Sequence, residues 1–217
     1  MSEVNLIALS KPSAITDCKT ASELIAYTAR VSNPSNQSNK KTAPKLLKYL
    51  IKENHWSPLE MVHMTLEIKT TRDIARQILR HRSFSFQEFS QRYAVAPGFE
   101  GREARLQDEK NRQNSVETDD RDLNEWWQME QKKVQARAEM SYKDALSKGI
   151  AKEQARALLP EGLTQSTLYM AGSLRSWIHY CELRRANGTQ KEHMEVADKC
   201  WEIIGVHFPD IVEALND

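Results

Sequence analysis

The chain is short of the residues that build disulfide scaffolds, metal domains and membrane spans. Its 217 residues include only three cysteines, Cys18, Cys181 and Cys200, and none form a CxxC pair. An odd number without that spacing fits reduced cytosolic thiols better than disulfides or zinc. No run approaches the roughly 18–20 apolar residues of a membrane span. The opening Met1–Ile7 stretch carries Glu3 and lacks a basic-then-apolar signal pattern. Charge of one sign is also missing: a net +1 gives no bulk attraction to nucleic acid or to a membrane. The seven glycines form neither GxGxxG nor a P-loop, and no His/Cys/Asp/Glu cluster has metal spacing. What remains is a cytoplasmic globular protein whose length suits one domain over 1–217. Its local basic clusters must therefore do local work.

Residue patterns point to an α+β fold, helix-rich around a small, mostly antiparallel sheet. Val4–Leu9 reads as a short strand, and Ala21–Val31 has helical spacing. Thr42 is placed as the N-cap of a helix with Pro44 in its first turn and an apolar face of Leu46, Leu47, Leu50 and Ile51. From Met61 to Lys69 the alternation is clear: Val62, Met64, Leu66 and Ile68 face one way, His63, Thr65, Glu67 and Lys69 the other. A helix over Arg72–Leu79 follows, with Ile74, Ile78 and Leu79 inward. Residues 97–120 are charged and poor in large apolar groups, which predicts an exposed, mobile excursion. A long helix over Leu123–Leu146 closes at Lys148-Gly149, and Ala151–Leu158 is a shorter one. Thr164–Ala171 is the next strand candidate, followed by helices over Leu174–Ala186 and Gln190–Val206. Trp126, Trp127 and Trp201 are expected in the core or at a subunit interface, and His63, His193 and His207 as surface or packing histidines.

Residues 80–93 carry the most information. Arg80, His81, Arg82 and Arg92 place three guanidiniums and an imidazole within thirteen residues, among Ser83, Ser85, Gln87, Glu88 and Ser90 and with few apolar neighbours. Guanidiniums are planar forks that match phosphates and planar oxyanions, and they repel one another unless an anion lies between them. On composition alone this is a solvated basic helix end. Its spacing says more. Arg80-His81-Arg82, seven residues, then Ser90 resembles the signature of the flavin-dependent thymidylate synthases, extended by Ser85, Glu88 and Arg92-Tyr93. Gln87 stands where that family usually has Asn.

Other segments match in order. His55-x-Ser57-Pro58-x-Glu60 resembles the family's His-x-Ser/Thr-Pro-x-Glu, and Ala155-Arg156-x-x-Leu159-Pro160 its Ala-Arg-x-x-Leu-Pro. Arg175, His179, Leu183-Arg184 and Thr189-Gln190 follow the pattern Arg-x-x-x-Asn-x-x-x-Leu-Arg and Ala-Gln, with His179 in place of Asn and Gly188 in place of a flavin-stacking His. The resemblance implies dUMP contacts at Gln77, Arg80, Glu88, Ser90, Gln91, Arg92, Arg156 and Arg184. It implies FAD contacts at Ser57, Arg80, His81, Arg82, Glu88, Ser173, Arg175 and His179, with no metal. Without the resemblance, Gln77 is a surface glutamine and Arg156 a solvated or carbonyl-capping arginine.

The implied activity is reductive methylation of dUMP to dTMP. Methylenetetrahydrofolate donates the carbon, NADPH reduces the FAD, and Arg184 stabilises charge on the activated ring. None of the three cysteines sits in a basic, partly exposed setting, so no thiolate nucleophile is expected. The resemblance also implies a homotetramer with shared active sites. Two other readings stand beside it: a non-catalytic or degenerate nucleotide-binding homologue, and a flavoenzyme acting on another pyrimidine nucleotide.

Overall fold

Burial on one side only shapes the central strands. The computed structural model describes residues 2–216; Met1 and Asp217, the ends of the expected domain, lie outside the described residues. In chain order the elements are β1 (Glu3–Leu9), α1 (Ala21–Ala29), α2 (Ala43–Lys52), β2 (His63–Thr71), α3 (Arg72–Ile78), β3 (Ser85–Glu88), β4 (Arg105–Gln107), β5 (Ser115–Glu117), α4 (Arg121–Ser147), α5 (Lys152–Ala155), β6 (Gln165–Ser173), α6 (Leu174–Arg184), α7 (Lys191–His207) and α8 (Pro209–Asn216). The main sheet has the order β1-β2-β6-β3, and all its pairs are antiparallel. The α+β architecture read from the sequence is the one observed.

Met64, Leu66 and Ile68 of β2 and Leu168 and Met170 of β6 are at most 1% exposed, on the face covered by helices. The other face carries polar groups such as Glu67 and Tyr169, whose hydroxyl donates to Glu67 at 3.0 Å. An antiparallel sheet tolerates that asymmetry. Trp177 of α6 is fully buried, and its indole N–H donates to the Met64 carbonyl at 3.0 Å, which ties α6 to β2. Phe84 packs edge-on against Trp177 with ring centroids 4.8 Å apart.

Several local expectations need correction. Thr42 precedes α2 but does not cap it; its hydroxyl accepts from Arg30 Nη2 at 2.8 Å. The stretch after Arg82 is less polar in place than in composition, because Phe84 is buried and β3 pairs with β6. The 97–120 excursion contains the β4–β5 hairpin and is clipped down by ion pairs: Arg102 to Asp73 at 2.6 Å, and Arg105 to Glu192. Leu79 is half-buried rather than inward, and α8, which packs on α2, was not anticipated. Trp126 is 54% exposed, which leaves the subunit-interface alternative and removes the core one. The close of α4 is as expected: Gly149 takes φ +82° and Ile150 N–H donates to Ala145 O at 3.0 Å, a pattern that favours glycine.

Gly172 allows Phe84 its place. A Cβ there would stand 2.5 Å from Phe84 Cδ1 and 2.7 Å from Cε1, and that ring is wedged against Trp177. Gly172→Ala should therefore destabilise the protein by about 1–3 kcal/mol through overpacking, read as a lower melting temperature. An unchanged melting temperature would show that Phe84 has room to move.

Candidate active site

The strand-to-helix turn at Ser173-Leu174 opens on a groove of about 730 Å³, within the size range of small-molecule sites. Trp56, Glu60, Ser83, Ser85, Ser173, Arg175 and His179 line it. Ser173 caps α6 by accepting from Ser176 N–H at 3.3 Å, so the positive end of the helix faces the groove. Arg175 is half-exposed and paired with Glu60, ready to exchange that carboxylate for an anionic ligand. Ser57 is exposed and opens the short turn leading to Glu60. Of the aromatics that could stand in for the ring missing at Gly188, Trp56 lines the groove whereas Tyr180 is fully buried.

The groove follows α6 as far as Glu182, and just beyond it, at the helix's last residue, Arg184 Nε donates to His81 Nε2 at 2.8 Å. That bond requires His81 to be neutral, with its proton on Nδ1. Burial pushes the His81 pKa from 6.5 down to about 4, and Arg184, His179 and Arg80 push the same way. Tyr180 stands edge-on to His81 at 4.9 Å. Arg80 and Arg82 are exposed, and no carboxylate among the described residues pairs with Arg80, Arg82 or Arg184. Arg184 and Arg80, both near enough to His81 to depress its pKa and neither paired with a carboxylate, concentrate positive charge that suits an anion.

Gln77, also implied as a nucleotide contact, is half-buried in this region and hydrogen-bonded to Gln190 at 2.8 Å. The rest of the implied nucleotide set lies elsewhere in the chain. Glu88 is held by Arg72 at 3.4 Å and by the Ser166 hydroxyl at 2.8 Å. Ser90 accepts from Arg92 N–H at 3.3 Å, and Gln91 is buried. Arg92 Nε donates to the Glu153 carboxylate and Arg156 Nε to the Glu153 carbonyl, each at 3.2 Å. In the β3–β6 register Ser85 faces Ala171, next to the groove, while Glu88 faces Leu168 and leads away from it. One chain thus gathers the Arg80–His81–Arg184 group and the groove, but not Arg92 and Arg156.

The sequence pattern marks both His193 and His63 as surface or packing histidines. The structure puts His63 on the groove wall. It puts His193 in a buried polar network with Gln77 and Tyr180, at 3.2 and 3.1 Å. The nearby Gln190 and Glu192 were the available signal: buried polar groups in water-free surroundings need partners.

The family model described as thymidylate synthase complementing protein matches residues 14–210. A probable flavin-dependent thymidylate synthase of Paramecium bursaria Chlorella virus 1 is 55% identical over 212 residues, 97% of each chain. The chain belongs to the flavin-dependent thymidylate synthase family. Another member, from Synechocystis, is 51% identical over 216 residues and 99% of each chain. The UMP/dUMP methylase PolB from Streptomyces cacaoi, solved with 5-Br dUMP bound, shares the fold. Its TM-score is 0.85 at 24% identity, over 100% of this chain and 95% of that one.

Two neutral histidines give the site a pH signature. His193 is pushed further than His81, to about 3, by burial and by Arg184 and His81. Both folded values lie below the ordinary 6.5, so the unfolded chain takes up protons first as the pH falls. The stability that depends on neutral histidines is complete above pH 6.5 and is lost progressively below it. Urea unfolding at pH 7 and pH 5 should differ by about 2 kcal/mol from His193, with a smaller share from half-exposed His81. Equal stability at the two pH values would mean these rings are not buried neutral.

Proposed function

We infer that the protein is a flavin-dependent thymidylate synthase, converting dUMP to dTMP with FAD as cofactor, methylenetetrahydrofolate as carbon donor and NADPH as reductant. The observation that carries this reading is a guanidinium, Arg184, held by neutral His81 at one end of a helix whose other end opens a ligand-sized groove. The groove fits FAD: Arg175, the α6 N-terminus and the Ser83 and Ser85 hydroxyls suit a pyrophosphate, and Trp56 and His179 offer flat faces. When bound there, FAD supplies the hydride that reduces the transferred carbon.

The chain's own residues prepare the pyrimidine. Burial counts against Cys181 and Cys200 as nucleophiles: both are 0% exposed, and desolvation drives their thiols far above the usual range, while part-exposed Cys18 follows the short turn at Ala14–Thr16, outside the groove lining. Carbon 5 must be activated without a thiolate. Arg184 does this electrostatically: its Nε is fixed by His81, which leaves the two terminal nitrogens to donate to a uracil oxygen as negative charge develops. Gln77 orients the base and Arg80 neutralises phosphate, while Arg82 and Ser57 serve the flavin. Arg92 and Arg156, gathered at Glu153 away from this group, fit a nucleotide phosphate reached from a neighbouring subunit. Ser90, Gln91 and Glu88 lie on that side as well. Half-exposed Trp126, Met129, Val134 and Met140 along α4 support a homotetramer by offering apolar area for burial. We read 1–217 as one domain, because the main hydrophobic cluster joins Ala21 to Ile211, and the second, formed by Tyr142, Ala145 and Ala155, is far smaller. Among the described residues no helix is long and apolar enough to cross a membrane, and the free thiols suit a reducing cytoplasm.

The direct test is an anaerobic visible spectrum of FAD-loaded protein titrated with NADPH, then with dUMP and methylenetetrahydrofolate. The flavin band should bleach and return only when both substrates are present; bleaching without return means another substrate. Arg184→Ala should cut turnover by about 10²–10³, the typical loss of one charge-stabilising donor, while flavin absorbance stays. Near-normal turnover would remove Arg184 from its role. Cys181→Ser should keep turnover within about threefold while losing roughly 1–3 kcal/mol of stability from the buried hydroxyl. A folded, flavin-loaded but inactive variant would restore the thiolate route.

A further inference from the structure

Beneath the Arg184–His81 contact runs a chain of side-chain hydrogen bonds whose direction is set from one end. Arg105, on the β4–β5 hairpin, donates to Glu192 Oε1. Gln190 Nε2 donates to Glu192 Oε2 at 2.9 Å, and Gln77 Nε2 donates to Gln190 Oε1 at 2.8 Å. Gln77 Oε1 lies 3.2 Å from His193 Nδ1, and His193 Nε2 lies 3.1 Å from the Tyr180 hydroxyl.

A carboxylate only accepts. Gln190 must therefore turn its nitrogen to Glu192 and leave its oxygen for Gln77. Gln77 must give its nitrogen to Gln190 and its oxygen to His193. The His193 proton then sits on Nδ1, and Nε2 accepts from Tyr180. Burial alone would raise the Glu192 carboxyl, but hydrogen bonds from Arg105, its own backbone N–H and Gln190 outweigh it and hold the group below its usual range. His193, fully buried, stays neutral. The two ends of an amide have nearly the same shape, so packing alone would not orient Gln77. A uracil, whose edge mixes carbonyl oxygens with an N–H, distinguishes the two orientations.

We propose that Glu192 and His193 are positioning residues that lock the Gln77 amide with its donor and acceptor on fixed sides for the nucleotide, with Arg105 anchoring the lock from the hairpin. This rests on Gln77 being a dUMP contact.

The experiment measures dUMP affinity by isothermal titration of FAD-loaded protein, together with KM and kcat. In His193→Asn the side-chain nitrogen falls near the Nδ1 position and keeps the donor to Gln77, so affinity should stay within about twofold. His193→Gln reaches the Nε2 position instead, keeps Tyr180 and leaves Gln77 Oε1 without its donor. Its dUMP affinity should fall about tenfold, the factor equal to roughly 1.4 kcal/mol. The loss should appear in KM, with kcat at saturating dUMP nearly unchanged. Glu192→Gln, whose amide accepts either direction, should weaken dUMP by about fivefold, and it keeps the test open if a His193 variant fails to fold. Equal affinities in the two His193 variants, or a weaker Asn variant, overturn the role of His193, because packing damage alone would cost the smaller Asn at least as much as Gln at this buried position; wild-type affinity in Glu192→Gln overturns that of Glu192. Wild-type protein that binds FAD but not dUMP overturns the nucleotide reading itself, and this inference with it.

Discussion

Thr71 passes into Arg72 and Ser173 into Leu174 with no loop between strand and helix, and the place of the site follows from those two turns. β2 and β6 are paired across nine positions, from His63↔Ser173 to Thr71↔Gln165. At roughly 3.4 Å per residue the ladder is about 30 Å long. Because the strands are antiparallel, α3 and α6 start at opposite ends of it. Helices of seven and eleven residues span about 10 and 16 Å. Laid back over the sheet they nearly fill the ladder, so their C-terminal ends meet. His81 and Arg184 are the residues that arrive there, 2.8 Å apart.

That convergence has an electrostatic consequence. Helix C-termini carry partial negative charge, which favours cations in the last turn. Two such ends lie together here, and they moderate the repulsion among Arg80, Arg82 and Arg184. The same cationic surroundings act on the histidines in the opposite sense: the pKa values of His81 and His193 are depressed by burial and by Arg184. Each ring is then an acceptor at one nitrogen and a donor at the other. The site holds its arginines through neutral groups, so their charge remains for a ligand.

The parts legible in the sequence are those where one physical rule dominates. β2 alternates because one face is buried and the other is wet, and α6 keeps Trp177, Ile178 and Cys181 at helical spacing because that face meets the sheet. β3 was hidden because its strand spans four residues and its apolar anchors, Phe84 and Phe86, are diluted by serines. Composition predicts an exposed, mobile segment where the hairpin lies because charged residues are ordinarily exposed; Arg105 has only 10% of its side chain exposed because Glu192 compensates it, and that partner is 87 residues away. An ordered motif supplies the expected site residues, but not their division into groups, since motif order carries no distances.

That division is itself informative. β3 leaves the groove at Ser85 and runs away from it through Glu88 to Arg92. A single chain cannot bring Arg92 and Arg156 back to Arg184 without breaking the β3–β6 ladder and the contacts of Glu88 with Arg72 and Ser166. Those contacts are partly buried, and breaking them would strand charged groups, which is costly. In the proposed assembly a second copy would present its own Glu153-linked arginines with every strand pair intact. A nucleotide has a planar base and a dianionic phosphate several ångströms apart. On the reading proposed above, two arginine groups on different subunits would meet those two ends separately, and the intact β3–β6 ladder is the physical reason one chain alone would not.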